Sequence, residues 1–152
     1  MILILIRHAK TEAAWPDRTR RLLPEGEERC LANALWLQHK GWVPEKIVYS
    51  PATRTWQTAE LMNQHLGAEL IEREDLYESR ESVYQKVIQD FKAECLAVLG
   101  HNPEIGFLAE LWSAGSISSF KPGAMAVFGY ESTKSPVGTT GPQDFQLLGY
   151  LP

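Results

Sequence analysis

Three short segments of this chain combine residue types and spacing suited to chemistry: Arg7-His8, Ser50-Pro51 with Arg54, and Gly100-His101-Asn102-Pro103. A neutral imidazole can attack phosphorus and form a covalent phosphohistidine, which divides a transfer into two easier steps. Guanidinium groups match phosphate oxygens and stay charged at every working pH. Phosphoryl transfer passes through a loose transition state, so positioning and charge neutralisation supply most of its catalysis. His8, His101, Arg7 and Arg54, joined by Arg20 from the loop after Ala9, therefore outline a phosphate site without an obvious metal-binding carboxylate pair. His8 reads as the nucleophile, with its other ring nitrogen expected to donate to a backbone carbonyl and fix the reactive tautomer. His101 reads as a second phosphate contact that donates a hydrogen bond. Either histidine alone would read as a satisfied structural side chain. His39 and His65 do read so, since each sits just before a glycine at a helix end, where a partly cationic ring suits the dipole.

Positioning these groups requires strands that deliver them to one edge. Ile2-Leu3-Ile4-Leu5-Ile6 is aliphatic without alternation, the pattern of a strand buried on both faces in a parallel sheet covered by helices. Open sheets of that kind place ligands at the carboxyl edge. Residues 46–50 and 96–99 read as two more strands and 68–71 as a fourth, with late strands at 125–130 and 144–151. A helix is expected over 26–40, with Leu31, Ala34 and Leu35 on its apolar face and Gly41 as its stop. A second runs from Ser50 as N-cap and Pro51 as first helical residue to about Leu66. Val83, Val87, Ile88 and Phe91 mark a third, after acidic loop material over 72–82, and Asn102-Pro103 repeats the cap-and-proline start for a fourth. Helix N-termini favour an anion. Arg54, in a first turn, is poorly placed for a cation unless an anion lies near. Trp36 and Trp56 read as core, Trp15 as a possible border of the substrate mouth, Lys121-Pro122-Gly123 as another rim, and 132–142 as a mobile loop. The predicted architecture is a three-layer α/β/α sandwich, with a mostly parallel central sheet, helices on both faces and one antiparallel late strand.

Bulk properties are consistent with one domain over residues 1–152. With 44% hydrophobic and 22% charged residues the chain has an ordinary globular composition. A net charge of −4 argues against nonspecific nucleic-acid binding. No apolar run approaches a membrane span, and the short N-terminal run has no preceding basic region, so neither a membrane partner nor a signal peptide is expected. Cys30 and Cys95 read as core thiols in a reducing compartment, which suggests a cytoplasmic protein.

The segment Leu5-Ile6-Arg7-His8-Ala9-Lys10-Thr11-Glu12 resembles the Arg-His-Gly signature of the histidine phosphatase (phosphoglycerate mutase-like) superfamily. Ser50-Pro51-Ala52-Thr53-Arg54-Thr55-Trp56-Gln57-Thr58-Ala59 is similar to its Ser-Pro-x-x-Arg-x-x-Gln-Thr-Ala block, and Leu99-Gly100-His101-Asn102-Pro103 to its second histidine motif. The short length and the Arg20-to-Gly26 spacing resemble the small SixA-type phosphohistidine phosphatase branch. This resemblance implies His8 as phosphoryl acceptor, Arg7, Arg20 and Arg54 as phosphate clamps, His101 (with Asn102 beside it) as a further contact, and neither metal nor cofactor. Ala9 departs from the usual glycine. Larger relatives have a glutamate general acid, for which Glu78 is the nearest candidate, although it is equally one more acid in a solvated segment.

The resemblance implies a phosphatase acting on phosphohistidine of a partner protein, such as a phosphorelay histidine domain. The leaving nitrogen of phosphohistidine can be protonated before the P–N bond breaks, so a dedicated acid is less essential than for a sugar ester. The alternative is a phosphomonoesterase for a small phosphorylated metabolite, with Glu78 as acid. A noncatalytic phosphate-binding module ranks below both, because both histidines are present.

Overall fold

The computed structural model describes residues 1–131 and 141–152. Strand β1 (Ile2–Arg7) lies between β4 (Cys95–Gly100) and β5 (Met125–Tyr130). Beyond β4 come β2 (Lys46–Tyr49) and β3 (Glu69–Glu72), and beyond β5 comes β6 (Phe145–Leu151). The strands β1 to β4 are mutually parallel. β5 runs against β1, and β6 against β5, so β5 is the antiparallel member among the described strands. Leu3, Ile4, Leu5 and Ile6 are fully buried. Burial of each contributes about 1.5–3 kcal/mol of transfer free energy.

Alternation along the strands sorts the core into two layers. Ile4, Ile6, Ile47, Ala97 and Leu99 face α1 (Pro24–Lys40) and α2 (Thr53–Leu66). Leu3, Leu5, Val48, Leu96 and Val98 face α3 (Glu81–Asp90) and α4 (Glu104–Trp112). The predicted α/β/α layering is thus the observed one. Cys30 and Cys95 are free, buried thiols, and burial pushes each up to about 11. Among the described residues no helix is long and apolar enough to cross a membrane.

Several local expectations need correction. α2 starts at Thr53 with Ala52 as its N-cap, not at Ser50. The Ser50 hydroxyl is instead turned to His101, a buried polar contact that a cap could not supply. α4 starts at Glu104 with Pro103 as N-cap, but Asn102 Oδ1 still accepts from the Gly106 N–H at 3.1 Å. On α1, Leu31 and Leu35 are exposed; the buried face runs through Gly26, Cys30, Asn33, Ala34 and Leu37, of which Cys30, Ala34 and Leu37 pack into the layer formed with the sheet and α2. Trp56 is 42% exposed and so is not core, whereas Trp36 is partly buried edge-on against Trp42. Of the loop expected over 132–142, residues 132–140 lie outside the described residues, and Pro142 opens a 3-10 turn, Pro142–Asp144.

Register explains why the chemistry-bearing segments meet. Arg7 pairs with Gly100, and Tyr49 with Leu99, so the residues that follow (His8, His101 and Ser50) leave the sheet side by side. Gly100 is required there, since a Cβ on it would overlap the Tyr84 ring and hydroxyl. Gly100→Ala should destabilise the protein by about 1–3 kcal/mol through this overpacking, seen as a fall of several degrees in Tm. A melt identical to wild type would show that the strand end yields freely.

Candidate active site

His8 is anchored through its backbone by the end of β4 on one side and the turn before β5 on the other. Its N–H donates to the Gly100 carbonyl at 3.2 Å, and its carbonyl accepts from the Gly123 N–H at 2.9 Å. In the ring, Nδ1 lies 2.8 Å from the Ala9 carbonyl. A carbonyl can only accept, so Nδ1 carries the proton and Nε2 presents its lone pair. The Ala9 N–H donates in turn to Thr58 Oγ1 at 3.1 Å, and that hydroxyl donates to the Arg54 carbonyl at 2.7 Å. The β1 end is thereby tied to the first turns of α2.

His101 lies 5.5 Å from His8 between ring centroids, with the planes 53° apart. Its backbone N–H donates to the Tyr84 hydroxyl at 3.1 Å, and Nε2 is 2.7 Å from Ser50 Oγ. His101 Nδ1 is buried without a hydrogen-bond partner among the described residues. Burial, followed by the Arg54 charge and His8, lowers His101 to about 3. Burial is also the main cause that lowers His8, to about 4; the Ala9 hydrogen bond opposes it and Arg54, Arg7 and Arg20 add to it. Both rings are therefore neutral near pH 7, as nucleophilic use of His8 requires.

The three arginines meet at the same place. Arg7 Nη1 donates to the Phe120 carbonyl at 2.9 Å, while its Nε is buried without a partner among the described residues. Burial lowers the Arg7 pKa from its ordinary value, and the Arg20 and Arg54 charges add to the shift. Arg54 is 6% exposed. Its Nη1 and Nη2 donate to the Asp17 carbonyl and Oδ2 at 3.0 and 3.1 Å. Arg20 donates from Nε to Asp17 Oδ1 at 3.0 Å and from Nη1 to Thr11 Oγ1 at 2.9 Å. Gln57 fastens the intervening loop by accepting from the Leu22 N–H at 2.8 Å.

Asp17 and Tyr77 were not singled out in the sequence. The Tyr77 hydroxyl donates to Asp17 Oδ2 at 3.1 Å, and its ring lies edge-on to His101. The only sequence sign of Asp17 is its position three residues before Arg20. Ser50 belongs to a segment that the sequence marks, but it reads there as a helix cap rather than a partner of His101, and Tyr84 is concealed on the buried face of α3.

A groove of about 210 Å³ opens beside this cluster, with Asp17, Tyr77, Glu78, His101, Asn102 and Glu104 among its walls. Glu78 is exposed there and has φ of 50°, a left-handed conformation uncommon for a non-glycine residue. The Asn102 amide is engaged at both ends, with Nδ2 donating to the Phe120 carbonyl at 2.9 Å and Oδ1 holding Gly106. A larger cavity, about 560 Å³ beside Met1, Ile88 and Phe91, lies at the opposite end of β1 and has no arginine or histidine in its walls. Trp15 is 90% exposed on the loop before Asp17. Among the described residues no group of three or more His, Cys, Asp or Glu side chains is arranged to hold a metal ion.

The two lowered histidines set a pH dependence. Between the folded value of about 4 for His8 and the ordinary 6.5, the unfolded chain binds more protons than the folded one. Stability should therefore fall as pH drops from about 6.5 toward 4, and be fully present above that window. NMR titration of the ring C–H resonances should find His8 and His101 still neutral at pH 5.5. A midpoint near 6.5 for either ring would contradict the buried, uncharged site.

A family model described as Histidine phosphatase superfamily (branch 1) matches residues 3–104, which include His8, Arg54 and His101. Among solved structures, that of a protein described as SixA from Agrobacterium tumefaciens superposes with TM-score 0.83 at 22% identity, covering 99% of this chain and 97% of that one. A SixA structure from Nakamurella multipartitia has the same TM-score and identity, with coverages of 99% and 94%. The protein histidine phosphatase SixA complexed with tungstate follows at 0.80 and 19%, with coverages of 99% and 96%. A search of curated proteins finds no match. Likeness at these identities establishes the fold, and the family model establishes the lineage: the chain belongs to branch 1 of the histidine phosphatase superfamily and is a phosphatase of that type.

Proposed function

We propose that the protein hydrolyses phosphohistidine on a partner protein, through a covalent phosphoenzyme on His8. The observation that carries this reading is the His8 ring itself: neutral, fixed by Ala9 in the tautomer that frees Nε2, and surrounded by Arg7, Arg20 and Arg54. In the first step His8 Nε2 attacks phosphorus, and the bond from phosphorus to the leaving nitrogen breaks. The electron pair goes to the leaving imidazole, which departs neutral because its proton was in place beforehand. In the second step water attacks phosphorus, the His8–phosphorus bond breaks, and inorganic phosphate leaves. The three arginines neutralise the equatorial oxygens throughout, a task a metal performs in other phosphoryl-transfer sites. His101, braced by Ser50 and Tyr84, contacts the transferring group, while Asn102 holds the start of α4 in place beside it.

A protein-borne substrate is supported by likeness, over almost the full length of both chains, to a protein named as a protein histidine phosphatase. A phosphorylated histidine domain of a phosphorelay has the required chemistry. His8→Ala should abolish labelling of the protein by a radioactive phosphodonor and all turnover of a phosphorylated histidine domain. Arg54→Ala should lower kcat/KM by roughly 10²- to 10³-fold, as loss of a transition-state donor does elsewhere. Activity should persist in excess chelator. Full activity of His8→Ala would remove the proposed acceptor.

A second reading, a small-metabolite phosphomonoesterase, is favoured by one feature. Glu78 lines the groove in a backbone conformation that costs about 1–3 kcal/mol and that clusters at functional sites. An ester oxygen needs a proton as it leaves; a preprotonated imidazole does not. If phosphohistidine is the substrate, Glu78→Gln should change its turnover by less than about threefold, against the 10²- to 10⁴-fold contribution of a general acid. A collapse on sugar phosphates, with these also the faster wild-type substrates, would decide for the ester enzyme.

A further inference from the structure

Asp17 belongs to none of the three chemistry-bearing segments, yet its carboxylate is the common partner of two of the three arginines. Oδ1 accepts from Arg20 Nε, Oδ2 from Arg54 Nη2 and the Tyr77 hydroxyl, and its backbone carbonyl from Arg54 Nη1. We propose that Asp17 is a positioning and charge-balancing residue of the phosphate cradle, ordering Arg20 and Arg54 while keeping the cradle from retaining inorganic phosphate. The inference rests on the phosphate-site reading above.

Donor arithmetic favours a permanent partner over a carboxylate displaced by each incoming phosphate. A guanidinium has five N–H groups. Arg54 spends two on Asp17 and retains others, including a buried Nε with no partner among the described residues. Arg20 spends one on Asp17 and one on Thr11. Asp17 thus aligns both forks and leaves donors for an anion. Charge gives the second argument. Arg7, Arg20 and Arg54 sum to three positive charges, and Asp17 reduces this to two, matching the roughly −1.5 to −2 of a phosphate monoester. A cradle of three uncompensated cations would hold the product more firmly than turnover needs.

Asp17 is not suited to act as the acid. Partial burial pushes its carboxyl up, but the Arg54 charge, the Tyr77 hydrogen bond and Arg20 outweigh that and hold it below the usual carboxylate range. It is an anion at neutral pH. The turn carrying it is also tethered without it. Arg18 makes two bonds to Glu74, at 3.0 and 2.9 Å, and sits 4.9 Å above the Tyr77 ring. Loop anchoring and charge can therefore be separated by mutation.

The test is calorimetric titration of the full chain with inorganic phosphate, alongside thermal melts, for wild type, Asp17→Asn, Arg18→Ala and Arg54→Ala. Asp17→Asn should bind phosphate more tightly, by roughly 3- to 10-fold; the Asp17 side chain is 47% exposed, so solvent screening keeps the gain modest. The gain should shrink at high salt. Arg18→Ala should stay within about twofold of wild type, since its charge is exposed and screened. A merely structural Asp17 predicts the opposite sign, weaker binding in Asp17→Asn. Asp17→Ser, also neutral, carries the same expectation should the amide variant not fold. Wild-type binding that is lost in Arg54→Ala but equal or weaker in the folded neutral variants overturns the Asp17 inference alone. Absence of phosphate binding by wild type, or undiminished binding by Arg54→Ala, overturns the phosphate cradle and Asp17's part in it together.

Discussion

Three guanidinium groups held at one strand end repel one another, and much of this structure serves to keep them together beside two uncharged imidazoles. Arg7 records the conflict in its lowered pKa, caused by burial and then by its two cationic neighbours. The same field, added to burial, empties His8 and His101 of their protons. What makes the cluster costly to assemble is thus also what leaves the His8 ring uncharged at neutral pH. Charge repulsion of this kind persists in a fold only when rigid elements over-determine each member.

Here the rigidity comes from different sources for different groups. Arg7 and His8 are set by β1, whose aliphatic run is locked between two helical layers and whose end is bonded to Gly100 on one side and Gly123 on the other. Arg54 is set by α2, fastened to the β1 end through Thr58. Arg20 stands on a loop, and its orientation depends on side-chain partners, Asp17 and Thr11. The histidines and Arg54 are buried, and Arg20 is among the more exposed members of the site.

The overlap of strand ends was legible because buried parallel strands have an unmistakable composition. Ile2 to Ile6 and Leu96 to Leu99 leave little freedom in which residues come next, and His8 and His101 follow directly. The cap-like signals were less faithful. Ser50 resembles a helix start, but its hydroxyl is taken up by Nε2 of the buried His101, and the helix begins later. Leu31, Leu35 and Trp56 show the limit of periodicity: a helix stripe says which residues share a face, while the neighbouring helix decides which part of that face is covered.

By itself the sequence determined the layered α/β architecture, the order of the strands' chemistry and the identity of the two histidines with Arg7 and Arg54, since these depend on local composition and short spacing. Only the tertiary structure decided what surrounds them. Asp17 on Arg54, Tyr77 on Asp17, Ser50 on His101 and the Tyr84 hydroxyl on the His101 N–H are contacts between distant segments. Such contacts leave no periodic trace in a chain. They arise because a buried polar group must find a partner wherever packing brings one within reach.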